Sequence, residues 1–86
     1  MSVKEQFEEV AKKLAENPDA ATSLPNEKKL EIYALFKQGS IGDVNTDRPG
    51  MLDLKGKAKW DAWNAKKGTP QEEAQQAYID LVSALL

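Results

Sequence analysis

The sequence predicts an all-α domain built as a four-helix bundle, and three observations carry that prediction. Apolar residues recur at helical spacing in four separate segments, no segment alternates with the period of two that marks a strand, and Pro or Gly stands at the breaks. The first helix opens at Ser2, whose hydroxyl can cap the backbone while Glu5, three residues on, completes a capping box. Val3, Phe7, Val10, Ala11 and Leu14 then fall on one stripe. Pro18 ends the helix by Asn17, because the residue before a proline is pushed out of the helical region, and PDAATSLP from 18 to 25 reads as a loop.

A second helix starts near Asn26 and sets Leu30, Tyr33, Phe36, Lys37, Ser40 and Ile41 on one side, a mixture for which a purely structural face has little use. Gly42 stops it by taking the left-handed cap conformation. DVNTDRPG, from Asp43 to Gly50, has turn formers at nearly every step and no apolar period, so it is a long loop. Asp53 caps a third helix that runs to about Lys66 with Ala58, Trp60, Ala62, Trp63 and Ala65, and Gly68 ends it. The fourth helix combines Thr69 as cap, Pro70 at the first helical position and Glu72 for a capping box, followed by a stripe of Ala74, Ala77, Tyr78, Leu81, Val82 and Leu85. The short connection at 67 to 69 favours an antiparallel last pair, whereas the longer one at 43 to 52 permits a crossover.

Composition narrows the function. Eighty-six residues suffice for one domain, spanning 1 to 86, and favour a surface groove over a deep cleft. With no Cys and no His the chain lacks a thiolate nucleophile and the commonest acid-base catalyst and metal ligand, and no Ser-centred elbow appears. The expectation is a binding protein, not an enzyme, with no metal and no cofactor. No apolar run approaches the roughly 20 residues that cross a bilayer, and MSVKEQFEEV is acidic without a signal's apolar stretch, so a cytoplasmic protein without stable membrane insertion is expected. A net charge of −2 gives no reason to expect nucleic acid. The distribution is uneven, however: from Arg48 to Lys67 six basic side chains stand against Asp53 and Asp61, a local balance of +4 that leaves −6 on the remainder. A basic patch on an acidic body suits one small polyanionic ligand, and it equally describes a solvated helix face.

Three stretches carry a resemblance. They are YALFKQGSIG from Tyr33 to Gly42, then NTDRPGMLDLKGKAKWDAWNAKKGT from Asn45 to Thr69, and an Ala-x-x-Ala-Tyr-Ile run from Ala74 to Ile79. In order and spacing they resemble the acyl-CoA-binding protein family. The resemblance implies an up-down-down-up order of helices and a monomeric, non-catalytic carrier of long-chain acyl-CoA, with the acyl tail laid between helices under the nucleotide.

Tyr33 and Lys37, four apart, share a helix face, where a phenol and an ammonium can donate to one phosphate. On spacing alone a partly buried tyrosine beside a surface lysine explains the pair as well. Lys55 and Lys59, also four apart near a helix start, fit an approaching anion or a solvated lysine-rich turn. The resemblance implies phosphate contacts for Tyr33, Lys37, Lys59 and, less directly, Lys55, a nucleotide contact for Tyr78, and adenine stacking for Phe36, which replaces a tyrosine common in the family. It treats Trp60 and Trp63 mainly as core, and leaves Phe7, Ala11 and Leu30, apolar by pattern, as candidates beside the acyl chain. Gly39 and Ser40 depart from a usual Ala-Thr, and Ala15 falls where many members have a phosphate-facing lysine, for which Lys12 and Lys13 are the candidate substitutes. The rival reading is a helical protein-interaction module whose lysines are merely solvated.

Overall fold

A computed structural model describes residues 2–86 and has the expected all-α architecture. Its helices are α1 (Val3–Glu16), α2 (Asp19–Thr22), α3 (Asn26–Ser40), α4 (Leu54–Asn64) and α5 (Gln71–Ser83). The four long ones are the four predicted. The single turn α2 lies inside the segment expected to be loop. Its backbone bonds begin at Asn17 and Pro18, and the Thr22 hydroxyl donates back to the Asp19 carbonyl at 2.9 Å. Ala20 and Ala21 favour helix, and Thr22 supplies the local bond that holds the turn.

Two predicted caps form. Ser2 accepts from the Glu5 amide at 3.2 Å while its hydroxyl donates to the Glu5 carboxylate, and Asp53 accepts from the Gly56 amide at 2.9 Å. The expected Thr69 cap does not form. Pro70, extended at ψ 142°, is itself the boundary residue of α5 and makes no side-chain cap bond. Thr69 lies one position outside, and its carbonyl is taken by Gln38. Gly42 (φ 102°) and Gly68 (φ 92°) both take left-handed backbone, as their helix-ending positions require. The third predicted helix closes slightly early: beyond Asn64 the chain tightens, with Lys66 bonded to Trp63 and Lys67 to Asn64 three residues back.

α3 is the central element, packing against both α5 and α4, while α1 packs on α5. Phe7, Ile32, Leu35, Ala74, Tyr78 and Val82 form the core where α1, α3 and α5 meet. The side of α3 singled out from the sequence is thus not its core side. Phe36 and Ile41 are exposed, and Leu30, Tyr33 and Lys37 are half-buried, whereas Ile32, Leu35, Gln38 and Gly39 face inward. The core takes one side of α3 and leaves the mixed side open.

A polar knot ties the end of α3 to the turn between α4 and α5. Gln38, 1% exposed, donates through Nε2 to Asp43 Oδ1 at 2.9 Å and to the Thr69 carbonyl at 2.8 Å. Asp43 Oδ1 also accepts from the Gly68 amide at 2.8 Å. The Trp63 indole donates to the Gly42 carbonyl at 2.8 Å, and the buried Gln75 amide donates to the Gly39 carbonyl at 2.9 Å. The Gln38 carbonyl oxygen has no partner among the described residues. The long loop is fastened to α4 as well: Arg48 makes a two-pronged pair with Asp61, both bonds 2.9 Å, and the Trp60 indole donates to the Thr46 carbonyl at 2.8 Å.

These bonds hold the Asp43 carboxyl below its ordinary range. The Gly68 amide lowers it most and the Gln38 amide next, desolvation opposes them, and the charge of Lys67 adds a smaller pull. A carboxyl depressed in the folded state contributes stability that is present above its unfolded pKa and is lost as pH falls through the folded value. Asp43→Asn, which keeps the acceptor oxygen but removes the charge, is therefore expected to be less stable than the parent at neutral pH. It should also show a shallower loss of stability on acidification below the ordinary carboxylate value. Urea unfolding at a series of pH values checks this, and parallel curves for the two proteins would contradict it.

Candidate functional site

The open side of α3 carries three adjoining depressions. The first, about 420 Å³, is lined chiefly by apolar groups, among them Ala11, Leu14, Ala15, Ile32, Phe36 and Tyr78, with Tyr33 and Lys29 completing one wall. The second, about 290 Å³, is lined by Tyr33, Lys37, Lys59, Trp60 and Trp63, with Asp47 of the long loop also contributing. The third, about 710 Å³, is lined by Phe7, Ala11, Phe36 and Gly39 together with Lys4, Glu8, Lys12 and polar groups of α5. Tyr33 lines both the first and the second, and Phe36 and Ala11 line both the first and the third, so the three form one trough.

The second depression is where the cations gather. Lys37 Nζ lies 4.9 Å from the centre of the Trp63 ring, and Lys59 Nζ lies 5.4 Å from the centre of the Tyr33 ring. Neither lysine is among the ion pairs of the described residues, which join Lys13 to Glu9, Arg48 to Asp61 and Lys66 to Glu31. A cation over an aromatic face gains about 0.5–2 kcal/mol and keeps its full charge. The ammonium groups are thus positioned without being neutralised, and two like charges in one pocket favour an anion between them. The Trp63 ring is itself 4% exposed and fixed by its bond to Gly42, so the platform under Lys37 is rigid.

The apolar part turns on three aromatic rings. Phe7 meets Tyr78 edge-on at 5.0 Å between centroids, and Phe36 lies 5.8 Å from Phe7 and 6.0 Å from Tyr78. Phe7 and Tyr78 are 4% and 2% exposed, whereas Phe36 keeps 37% of its surface in solvent at the junction of two depressions. Phe36 therefore rests on the core without belonging to it, and it offers the groove an aromatic surface. Burial pushes the Tyr78 phenol up, so it is a neutral group at the groove floor.

The structure brings Tyr33, Lys37 and Lys59 together, and gathers Phe36, Tyr78, Phe7 and Ala11 along the adjoining apolar length. Leu30 and Lys55 line none of the three depressions: Leu30 is half-buried outside the central core, and Lys55 is exposed at the start of α4. Trp63 has the packing role expected of it, and Trp60 is half-buried beside it, yet both also wall the cation pocket. Gly39, where a methyl group would come within 3.1 Å of Phe7 and Gln75, leaves room for those two side chains to close on α3. Sequence reasoning did not single out Lys29, which lines the first depression, because no local pattern distinguishes it from Lys28 beside it.

The fold and this trough define a class: a small all-α domain with an open groove on one helix face, apolar along one length and cationic at the other. The comparisons identify the family. The profile described as "Acyl CoA binding protein" matches residues 4–82. An acyl-CoA-binding protein homolog of Drosophila melanogaster is 51% identical over 85 residues, covering 98% of this chain and 94% of that one. An acyl-CoA-binding protein of Ricinus communis is 49% identical over 86 residues, covering 100% and 92%. Among solved structures, the crystal structure of Oryza sativa Acyl-CoA-Binding Protein 2 is similar with a TM-score of 0.87 and 43% identity, covering 98% of this chain and 90% of that one. The chain belongs to the acyl-CoA-binding protein family.

The different exposure of the two phenylalanines has a measurable consequence. Phe7→Ala should cost about 3–5 kcal/mol of folding stability, the usual range for a buried aromatic. Phe36→Ala should cost distinctly less in denaturant unfolding of the unliganded protein. An equal loss at both positions would return Phe36 to the core.

Proposed function

We propose that this protein binds long-chain fatty acyl-CoA esters reversibly and without catalysis, as a monomeric cytoplasmic carrier and buffer with one binding domain over residues 1 to 86. Membership of the family supports acyl-CoA as the ligand. The observation that carries the assignment to this trough is that the apolar groove and the cation pocket share the Tyr33 ring, so one molecule with an apolar body and phosphate groups can fill both. In this reading Tyr33, Lys37 and Lys59 converge on the 3′-phosphate, Phe36 stacks on adenine, and Tyr78 meets the nucleotide from below. The apolar surface near Phe7 and Ala11 serves the acyl chain, to which the family resemblance adds Leu30 from outside the three depressions, and Lys55 adds attraction without a fixed contact. The relatives from Drosophila melanogaster and Ricinus communis bear the name of acyl-CoA binding and no catalytic title, in keeping with a reaction-free role. No helix among the described residues is long and apolar enough to cross a membrane, and no cluster of metal-binding side chains occurs there. The ligand set is completed by neither cofactor nor nucleic acid.

Calorimetric titration with dodecanoyl-CoA, palmitoyl-CoA, free CoA and palmitate tests the reading. Each methylene buried contributes at most about 0.8 kcal/mol, so affinity should rise with chain length until the groove is full. Free CoA binding as tightly as its long-chain ester would overturn it. Lys37→Ala or Lys59→Ala should weaken ester binding by about 2–5 kcal/mol, the usual loss on removing one partner of a desolvated charge pair, and Lys57→Ala should do far less. The losses should shrink with 3′-dephospho esters. Equal losses for both ligands would place these residues elsewhere on the nucleotide.

A further inference from the structure

The apolar groove contains one charged group. Lys29 lines the groove together with Ala15, and every other lining side chain is neutral. On α3 the neighbours of Lys29 at the helical spacings of three and four are Pro25, Asn26, Ile32 and Tyr33, none of them acidic. Other lysines near the trough are differently placed. Lys13 lies 3.6 Å from Glu9, and Lys12 lines the third depression, one turn of α1 from Glu8. Neither of those two lines the groove in which Ala15 stands. Lys29 is exposed, and with no carboxylate at those spacings on its own helix its ammonium is available to an anion brought by whatever fills the groove. Tyr33 also lines the Lys37 and Lys59 pocket, so Lys29 and that pair lie in adjoining depressions that share one aromatic residue.

A CoA ester carries two separate phosphate groups, a 3′-phosphate on the ribose and a 5′-pyrophosphate. We propose that Lys29 forms a second anion site in this protein and holds the pyrophosphate, while Lys37 and Lys59 hold the 3′-phosphate. The assignment rests on the acyl-CoA reading above and goes beyond it by giving a role to a residue outside the Tyr33, Lys37 and Lys59 cluster. The site draws its cation from the first turn of α3, where α1 contributes only the apolar side chains of Ala11, Leu14 and Ala15.

The test compares the parent protein with Lys29→Met, which keeps the length and apolar stem of the side chain, against three ligands: dodecanoyl-CoA, its 3′-dephospho form, and S-dodecanoyl pantetheine, which lacks both phosphate groups. Lys29→Met should weaken the first two by the same factor, on the order of tenfold or more, and leave the third unchanged. The unfolding midpoint should stay at the parent value, since Lys29 is exposed. A lysine introduced by Ala15→Lys lies in the same groove and should recover part of the loss in the Lys29→Met background. Unchanged binding of all three ligands would show that Lys29 does not serve the groove. A loss that disappears with the 3′-dephospho ester would assign Lys29 to the 3′-phosphate, and a loss that persists with the pantetheine ester would assign it to packing; either overturns the proposal. Failure of the parent itself to bind any of the three esters would instead remove the acyl-CoA reading, a separate outcome visible before any variant is made.

Discussion

A glutamine side chain buried to 1% exposure cannot leave its amide nitrogen unbonded without a cost of about 1–3 kcal/mol, and the arrangement of this protein follows from where that nitrogen is satisfied. Gln38 bonds to Asp43, just past the end of its own helix, and to Thr69, at the entry to α5. Asp43 in turn holds the Gly68 amide. The end of α3 is thereby joined to the turn that connects α4 and α5, and the register of three helices is set at one point. Lys37 is the neighbour of Gln38 in sequence, and successive helical residues point about 100° apart, so with Gln38 turned inward Lys37 faces the open side of α3, over the Trp63 ring. The Lys37 and Trp63 side of the cation pocket is thereby tied to the knot.

The division of α3 into two working sides explains why a small domain can keep an open groove. Its inward side supplies Ile32 and Leu35 to the core, while Tyr33, Phe36 and Lys37 remain on the other side with part of their surface in solvent. The apolar surface left there is continuous with the core through the Phe7, Phe36 and Tyr78 rings. Placing a ligand on Phe36 extends an aromatic cluster that is already packed, so little of the protein has to be reordered. The long loop closes the far end, held to α4 by Arg48 and Trp60, and it brings Asp47 and Pro49 to the pocket rim.

What could be read from the sequence was local. The caps at Ser2 and Asp53 and the stops at Gly42 and Gly68 depend on partners within a few residues or on glycine's own backbone freedom, and each was legible. Thr69 was misread because its neighbours match a cap signature, while its carbonyl is claimed by a side chain 31 residues away. Gln38, Asp43 and Gln75 carried no readable role for the same reason, their partners lying 25 to 36 residues distant. The mixed side of α3 was recognised as unusual, yet its true inward side went unmarked, because Gln38 and Gly39 interrupt the apolar stripe that Ile32 and Leu35 begin. The meeting of Lys59 with Tyr33 joins two helices and was reachable only through the family resemblance.

The central claim is that the nucleotide of an acyl-CoA lies on the open side of α3, bridging the apolar groove and the cation pocket. Isotope-filtered nuclear Overhauser spectroscopy of the labelled protein with unlabelled dodecanoyl-CoA observes that placement directly. The expected result is a set of cross-peaks from the adenine protons to the rings of Phe36 and Tyr33. Cross-peaks instead to Ala77 and Leu81, in the separate groove between α3 and α5, with none to Phe36, would contradict it.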